Sequence, residues 1–246
     1  MYGRPVTKRL LNATLTRVGA PVKAGDQGPA AVDLGGVLGG LPELPPTARR
    51  LLEAGVWAFA EQGYHGTTTR DIATRAGLSP AGLYVHYPSK GALLAHLSEL
   101  GHDAAAQLVA TTLGPAGSAP ATVRLHRSLA AFVAWNAEHH LVARVVQDEL
   151  RSLDAPTRAR IHLVRRSIEA QVEAVVAQGA TAGEMVVDHH THATRAVLSL
   201  AVNVARWYDP DGRQSPAELG QIYADLSLRM LGARTEAERP VTEEHP

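Results

Sequence analysis

TTRDIATRAGLSPAGLYVHYPSK, residues Thr68 to Lys90, reads as two short helices joined by a tight turn. Thr68 is placed to cap the first helix, and Asp71, three residues on, can return the bond as a capping box. Ile72, Ala73 and Ala76 give that helix its apolar face, and Gly77 stops it. After Leu78, Ser79 and Pro80 supply the N-cap and first-turn proline of a second helix, which carries Leu83 and Tyr84 and ends near Pro88. This is the pattern of a helix-turn-helix, in which the second helix enters the DNA major groove, although two stacked helices also serve as a plain structural corner.

Working outward, Ser89 caps the next helix. Its usual acidic partner is replaced by Ala92, so half a capping box is expected. Upstream, a helix beginning near Thr47 and closing at Gly63 places Leu51, Leu52, Val56, Phe59 and Ala60 on one face. Arg49 and Arg50 at its start are candidates for the phosphate backbone. Trp57 leaves the facing of this helix open. The preceding residues 1–46 contain Lys8, Arg9 and Arg17 and a Gly- and Pro-rich run, VDLGGVLGGLPELPP, and read as a flexible extension or a basic arm. Residues 47–92 form the expected DNA-binding domain, 93–232 a helical effector-binding and dimerisation domain, and 233–246 a flexible tail.

Composition supports an all-α chain of this organisation. Its 246 residues are enough for a small domain and a larger one. Leu, Val and Ala recur at helical spacing, and alternating β-branched runs are scarce. The 24 basic and 24 acidic residues cancel, but ten Lys or Arg against six Asp or Glu fall at or before Ala92, so the basic excess lies at the DNA end. Zero cysteines exclude disulfides and thiolate sites and suit a cytoplasmic protein. No run approaches the roughly 18 apolar residues of a membrane span.

The pattern from Thr47 to Leu97 resembles the DNA-binding domain of the TetR family of bacterial transcriptional regulators. The resemblance rests on FAEQGY (Phe59–Tyr64), RDIA (Arg70–Ala73), AGLS (Ala76–Ser79) and LYVHYPSK (Leu83–Lys90). It implies that Ser79, Pro80, Ala81, Gly82 and Tyr84 face base edges and that Thr69, His86, Tyr87 and Lys90 hold phosphates; a core position is the alternative for Tyr87. None of the base-facing positions is Arg, Asn or Gln, so readout is expected to lean on Arg70, Tyr84, thymine methyl groups and DNA shape.

The lever between domains is expected from Lys90 to about Leu108, broken within Thr111 to Pro120. Helices then follow over Ala121–Glu138, Leu141–Leu153, Ala155–Gly179, His189–Trp207 and Ser215–Leu231. In the last two, Val197, Leu198, Leu200, Ala201 and Val204, with Leu219, Ile222, Tyr223, Leu226 and Leu228, look like a paired-helix homodimer interface or else a monomer core. Such a dimer would read both halves of a palindromic double-stranded operator.

For the effector site, Phe132, Trp135, His139, Arg144, Gln147 and Arg151 combine apolar and polar groups. HLVARVVQDELRSL (His140–Leu153), GATAGEMVVD (Gly179–Asp188) and RWYDPDGRQSPAELGQIYADLSLRML (Arg206–Leu231) resemble acyl-CoA-responsive regulators of fatty-acid and steroid catabolism. That resemblance implies an apolar acyl pocket with Arg or Lys at the nucleotide. A different apolar ligand is the alternative. A metal-buffering or scaffold protein is the rival from another class, because Asp188, His189, His190 and His192 cluster. Those histidines have no separate carboxylate at metal-site spacing, so neither a metal nor a cofactor is expected. His139 and Asp148 have no nucleophile motif beside them, and no enzyme activity is expected.

Overall fold

The computed structural model describes Leu34 and residues 44–233. The other residues of the expected N-terminal extension, and residues 234–246 of the tail, lie outside the described residues. Among the described residues the fold is all-α: α1 Pro46–Gly66, α2 Thr69–Arg75, α3 Pro80–His86, α4 Lys90–Leu113, α5 Ala121–Glu138, α6 His140–Asp148, a 3-10 turn Glu149–Ser152, α7 Ala155–Thr181, α8 His190–Trp207 and α9 Pro216–Met230.

Local chemistry sets the starts of these helices. Thr68 and Asp71 form the full reciprocal capping box, as do Ser215 and Glu218 at α9. Ser79 and Ser89 cap α3 and α4 by accepting from the Gly82 and Ala92 amides. The hydrogen bonds from Thr68 hold the Asp71 carboxyl below its ordinary range. Between α2 and α3, Gly77 adopts φ +66°, and the Leu78 amide donates to Ala73 O at 2.8 Å. This left-handed closure favours glycine.

Several helix ends differ from the sequence reading: α1 continues past its break at Gly63 to Gly66, and α7 ends at Thr181 rather than Gly179. The α4 helix runs past Leu108 to Leu113, and in that added stretch the Thr112 hydroxyl donates to Leu108 O at 2.6 Å. The expected Leu141–Leu153 helix tightens at Glu149 into the 3-10 turn.

Two hydrophobic cores organise the packing. The first joins Leu51, Leu52, Val56 and Phe59 of α1 to Ile72, Leu83, Leu93, Leu94 and Leu97, and Leu34 is buried in it. It also takes in Val142, Val145 and Val146 of α6, so the head, formed by α1, α2, α3 and the start of α4, shares one apolar interior with α6. The second gathers the distal half of α4 with α5, α7, α8 and α9. Trp135, half-buried, packs against both. Truncating a fully buried leucine such as Leu52 or Leu83 to alanine carries a typical cost of about 2–5 kcal/mol.

Candidate nucleic-acid interface and effector cavity

The outer face of the helix-turn-helix is assembled from α2 and α3. Leu83 points inward and is fully buried, while Ser79, Pro80, Ala81, Tyr84 and His86 are exposed and Gly82 is half-buried. Tyr84 is 53% exposed, and Val85, which the sequence reading passed over, is 80% exposed. The Tyr84 hydroxyl lies 3.3 Å from Thr69 Oγ1, tying the outer surface of α3 to the start of α2. Arg70 is exposed beside them. The face thus offers hydroxyls, one guanidinium and an apolar branched side chain suited to hydrogen bonding and methyl contact.

Other candidates are engaged within the head. Tyr87 is buried, its hydroxyl 2.9 Å from His96 Nδ1, and burial pushes the phenol up to about 12. Arg49 is half-buried. Arg50 donates to the Ala76 carbonyl and so closes the end of α2. Lys90 Nζ donates to Tyr64 O and Thr67 O, both at 2.7 Å, and lies 4.4 Å from the Tyr64 ring centroid.

The same turn is also held by the 3-10 turn that follows α6. Gly63 breaks α1 with φ +69° and ψ 168°, and the next amide, Tyr64 N, donates to Glu149 Oε1 at 2.9 Å. The other Glu149 oxygen accepts from Ser152 Oγ at 2.8 Å. The end of α1 is therefore pinned by Lys90 at the root of α4 and by Glu149 in the turn that continues α6. Nothing in the local sequence pairs Tyr64 with a residue 85 positions away.

Above this junction lies a cavity of about 410 Å³. Its wall comprises Gly101, His102 and Ala105 of α4, Phe132, Trp135 and Asn136 of α5, Ala143, Val146 and Gln147 of α6, Arg165, Ile168 and Glu169 of α7, and Arg195, Leu198, Ser199 and Val202 of α8. The volume suits a small apolar ligand. The Phe132 and Trp135 rings stack at 6.5 Å. Gln147 Nε2 donates to Val202 O at 3.4 Å.

Three of the six sequence-selected effector residues, Phe132, Trp135 and Gln147, line this cavity; His139, Arg144 and Arg151 are not among its lining residues. His139 is buried one turn beyond, its ring edge to face with Trp135 at a centroid separation of 5.3 Å. Arg151 is exposed on the 3-10 turn. The cations in the wall are Arg165 and Arg195. Arg195 Nε meets Glu169 Oε1 at 2.5 Å. Arg165 Nε donates to His102 Nε2 at 3.0 Å, while His102 Nδ1 is 2.7 Å from Ser98 O. His102 is thus a neutral ring with its proton on Nδ1. Burial, reinforced by Arg165, pushes its pKa down to about 4, and burial also lowers Arg165.

The remaining features sort by exposure. His189 and His192 lie edge to face with ring centroids 6.0 Å apart. Among the described residues no group of three His, Cys, Asp or Glu is gathered as a metal site. Along α8 and α9, Val197, Ala201, Val204 and Leu219 are buried in the second core, whereas Leu200, Trp207, Ile222, Leu226 and Met230 are exposed. No helix among the described residues is long and apolar enough to cross a membrane.

Known proteins share this fold. Residues 51–97 match the family model for bacterial regulatory proteins of the tetR family, and residues 118–231 match the tetracyclin repressor-like C-terminal domain. The chain is 30% identical over 203 residues to the HTH-type transcriptional repressor KstR2 of Mycolicibacterium smegmatis, covering 76% of this chain and 93% of that protein. It is similar to the crystal structure of a tetR-family regulatory protein from Rhodococcus RHA1, with TM-score 0.73, 33% identity, and coverage of 78% of this chain and all of the other. A likeness of fold also extends to AibR in complex with isovaleryl coenzyme A and operator DNA, with TM-score 0.66, 23% identity, and coverage of 76% and 98%. The chain belongs to the TetR family of bacterial transcriptional regulators, and its matched domains are those of a regulator rather than an enzyme.

Proposed function

We propose that the chain is a transcriptional repressor that binds a palindromic operator as a homodimer and releases it when an acyl-CoA or related lipid-like effector enters the cavity. The observation that carries this reading is the double duty of α6. One side of the helix lines the cavity through Ala143, Val146 and Gln147, and another belongs to the core of the head. A ligand that displaces α6 acts on the head directly, because Glu149 follows at its end and holds Tyr64. Effector and operator then favour different positions of one element.

The acyl-CoA class is supported by the distal sequence resemblance and by the largely apolar wall. AibR offers a precedent for a coenzyme A thioester held in this fold. The volume of about 410 Å³ suits an acyl chain or compact ring system. The nucleotide of a thioester would extend beyond the acyl cavity, with Arg195 on α8 as a candidate contact. The exposed Leu200, Ile222, Leu226 and Met230 support pairing of α8 and α9 between two copies.

The test is operator release and calorimetry with a panel of acyl-CoA thioesters, the matching free acids and CoA alone. A thioester that binds more tightly than either fragment and releases the operator is the expected result. Binding of an unrelated apolar compound alone would reject the thioester class and retain the regulator.

A further inference from the structure

Arg165 has a charge that the cavity does not balance. Arg165 is half-buried, and it forms no ion pair among the described residues; its hydrogen-bond partner is His102. That ring uses Nδ1 toward Ser98 O and Nε2 toward Arg165, so it orients the guanidinium without neutralising it. The carboxylate nearest in sequence on the same wall, Glu169, already meets Arg195 at 2.5 Å. Asp103, one residue beyond His102, is held by Arg160 at 2.7 Å. Two arginines and one glutamate leave the wall with one uncompensated positive charge facing an otherwise mainly apolar space.

A desolvated cation gains most from an anion that supplies hydrogen-bond acceptors in the plane of the guanidinium. We infer that the cavity selects an effector whose buried body carries a carboxylate, held by Arg165, so that the favoured acyl group is a carboxyacyl group. This rests on the effector-cavity reading above and adds a requirement at the acyl end. His102 acts as a positioning residue.

The experiment compares thioesters matched in length, hexanoyl-, octanoyl- and decanoyl-CoA against adipoyl-, suberoyl- and sebacoyl-CoA, by calorimetry on the full chain. Each pair replaces a terminal methyl by a carboxylate. At the best-fitting length the carboxyacyl thioester is expected to bind about tenfold or more tightly, as expected for charge-assisted hydrogen bonds. Arg165→Gln should erase the preference while operator binding without effector persists. Should Arg165→Gln fail to fold, Arg165→Lys, which retains the charge but not the planar fork, is expected to keep part of the preference. Equal or weaker binding of every carboxyacyl partner, or a preference undiminished in Arg165→Gln or Arg165→Lys, overturns the carboxylate site and leaves the acyl-CoA reading standing. Free suberate binding over octanoate in an Arg165-dependent way, with no thioester bound, supports the carboxylate site and rejects the thioester. Binding by none of these compounds overturns both.

Discussion

His102 and Lys90 show how one side chain can be committed before any ligand arrives. Burial, reinforced by the Arg165 charge, pushes the His102 imidazole down from 6.5 to about 4, so it resists protonation in the folded chain. Its contribution is intact above the unfolded value and is lost as pH falls from about 6.5 to about 4, because the unfolded chain binds the proton first. The shift corresponds to about 3 kcal/mol. Denaturant titrations between pH 7.5 and 4 should show a flatter stability profile for His102→Gln than for the parent chain; identical slopes would contradict this assignment. At Lys90, two ammonium bonds to the Tyr64 and Thr67 carbonyls make the residue structural whatever it contributes to DNA. Lys90→Ala is expected to lower unfolding free energy by about 1–3 kcal/mol, measured by chemical denaturation, because those carbonyls lose a charged donor. An unchanged unfolding midpoint with an unchanged denaturant slope would show that water replaces the ammonium without loss.

At the scale of elements, what could be read from sequence was what neighbours in sequence determine. Thr68 with Asp71, Ser79 with Pro80, and Ser89 announce their helices because a cap is completed within three residues. The cavity was legible where the helical period could be followed, as at Phe132 and Trp135. On α6 it was legible in part: Gln147 falls on the lining face, whereas Arg144 follows the lining residue Ala143 by one position and is therefore rotated about 100° from it. Arg165 with His102 and Glu149 with Tyr64 join residues 63 and 85 positions apart, and no local period announces such pairs. The latter contact carries a prediction for α6. Glu149→Ala should bind effector about as tightly as the parent chain but show a several-fold smaller ratio of operator affinities without and with saturating effector. Measuring both affinities by fluorescence anisotropy separates the possibilities: an undiminished ratio would remove Glu149 from the coupling.

For the whole molecule, the apolar periodicity of α8 and α9 contains two surfaces that the sequence could not separate. Val197, Ala201, Val204 and Leu219 complete the monomer's second core, while Leu200, Ile222, Leu226 and Met230 remain exposed. Burying those exposed groups between two copies would hold two helix-turn-helix faces at a fixed spacing, the geometry that a palindrome requires. The most direct measurement is sedimentation of the full chain with a duplex selected from random DNA, before and after titration with the acyl-CoA panel. The expected result is a dimer, or a pair of dimers, on a palindromic duplex that dissociates from it at saturating thioester. A monomer without sequence preference, or an operator complex that persists through every thioester shown to bind, would contradict it.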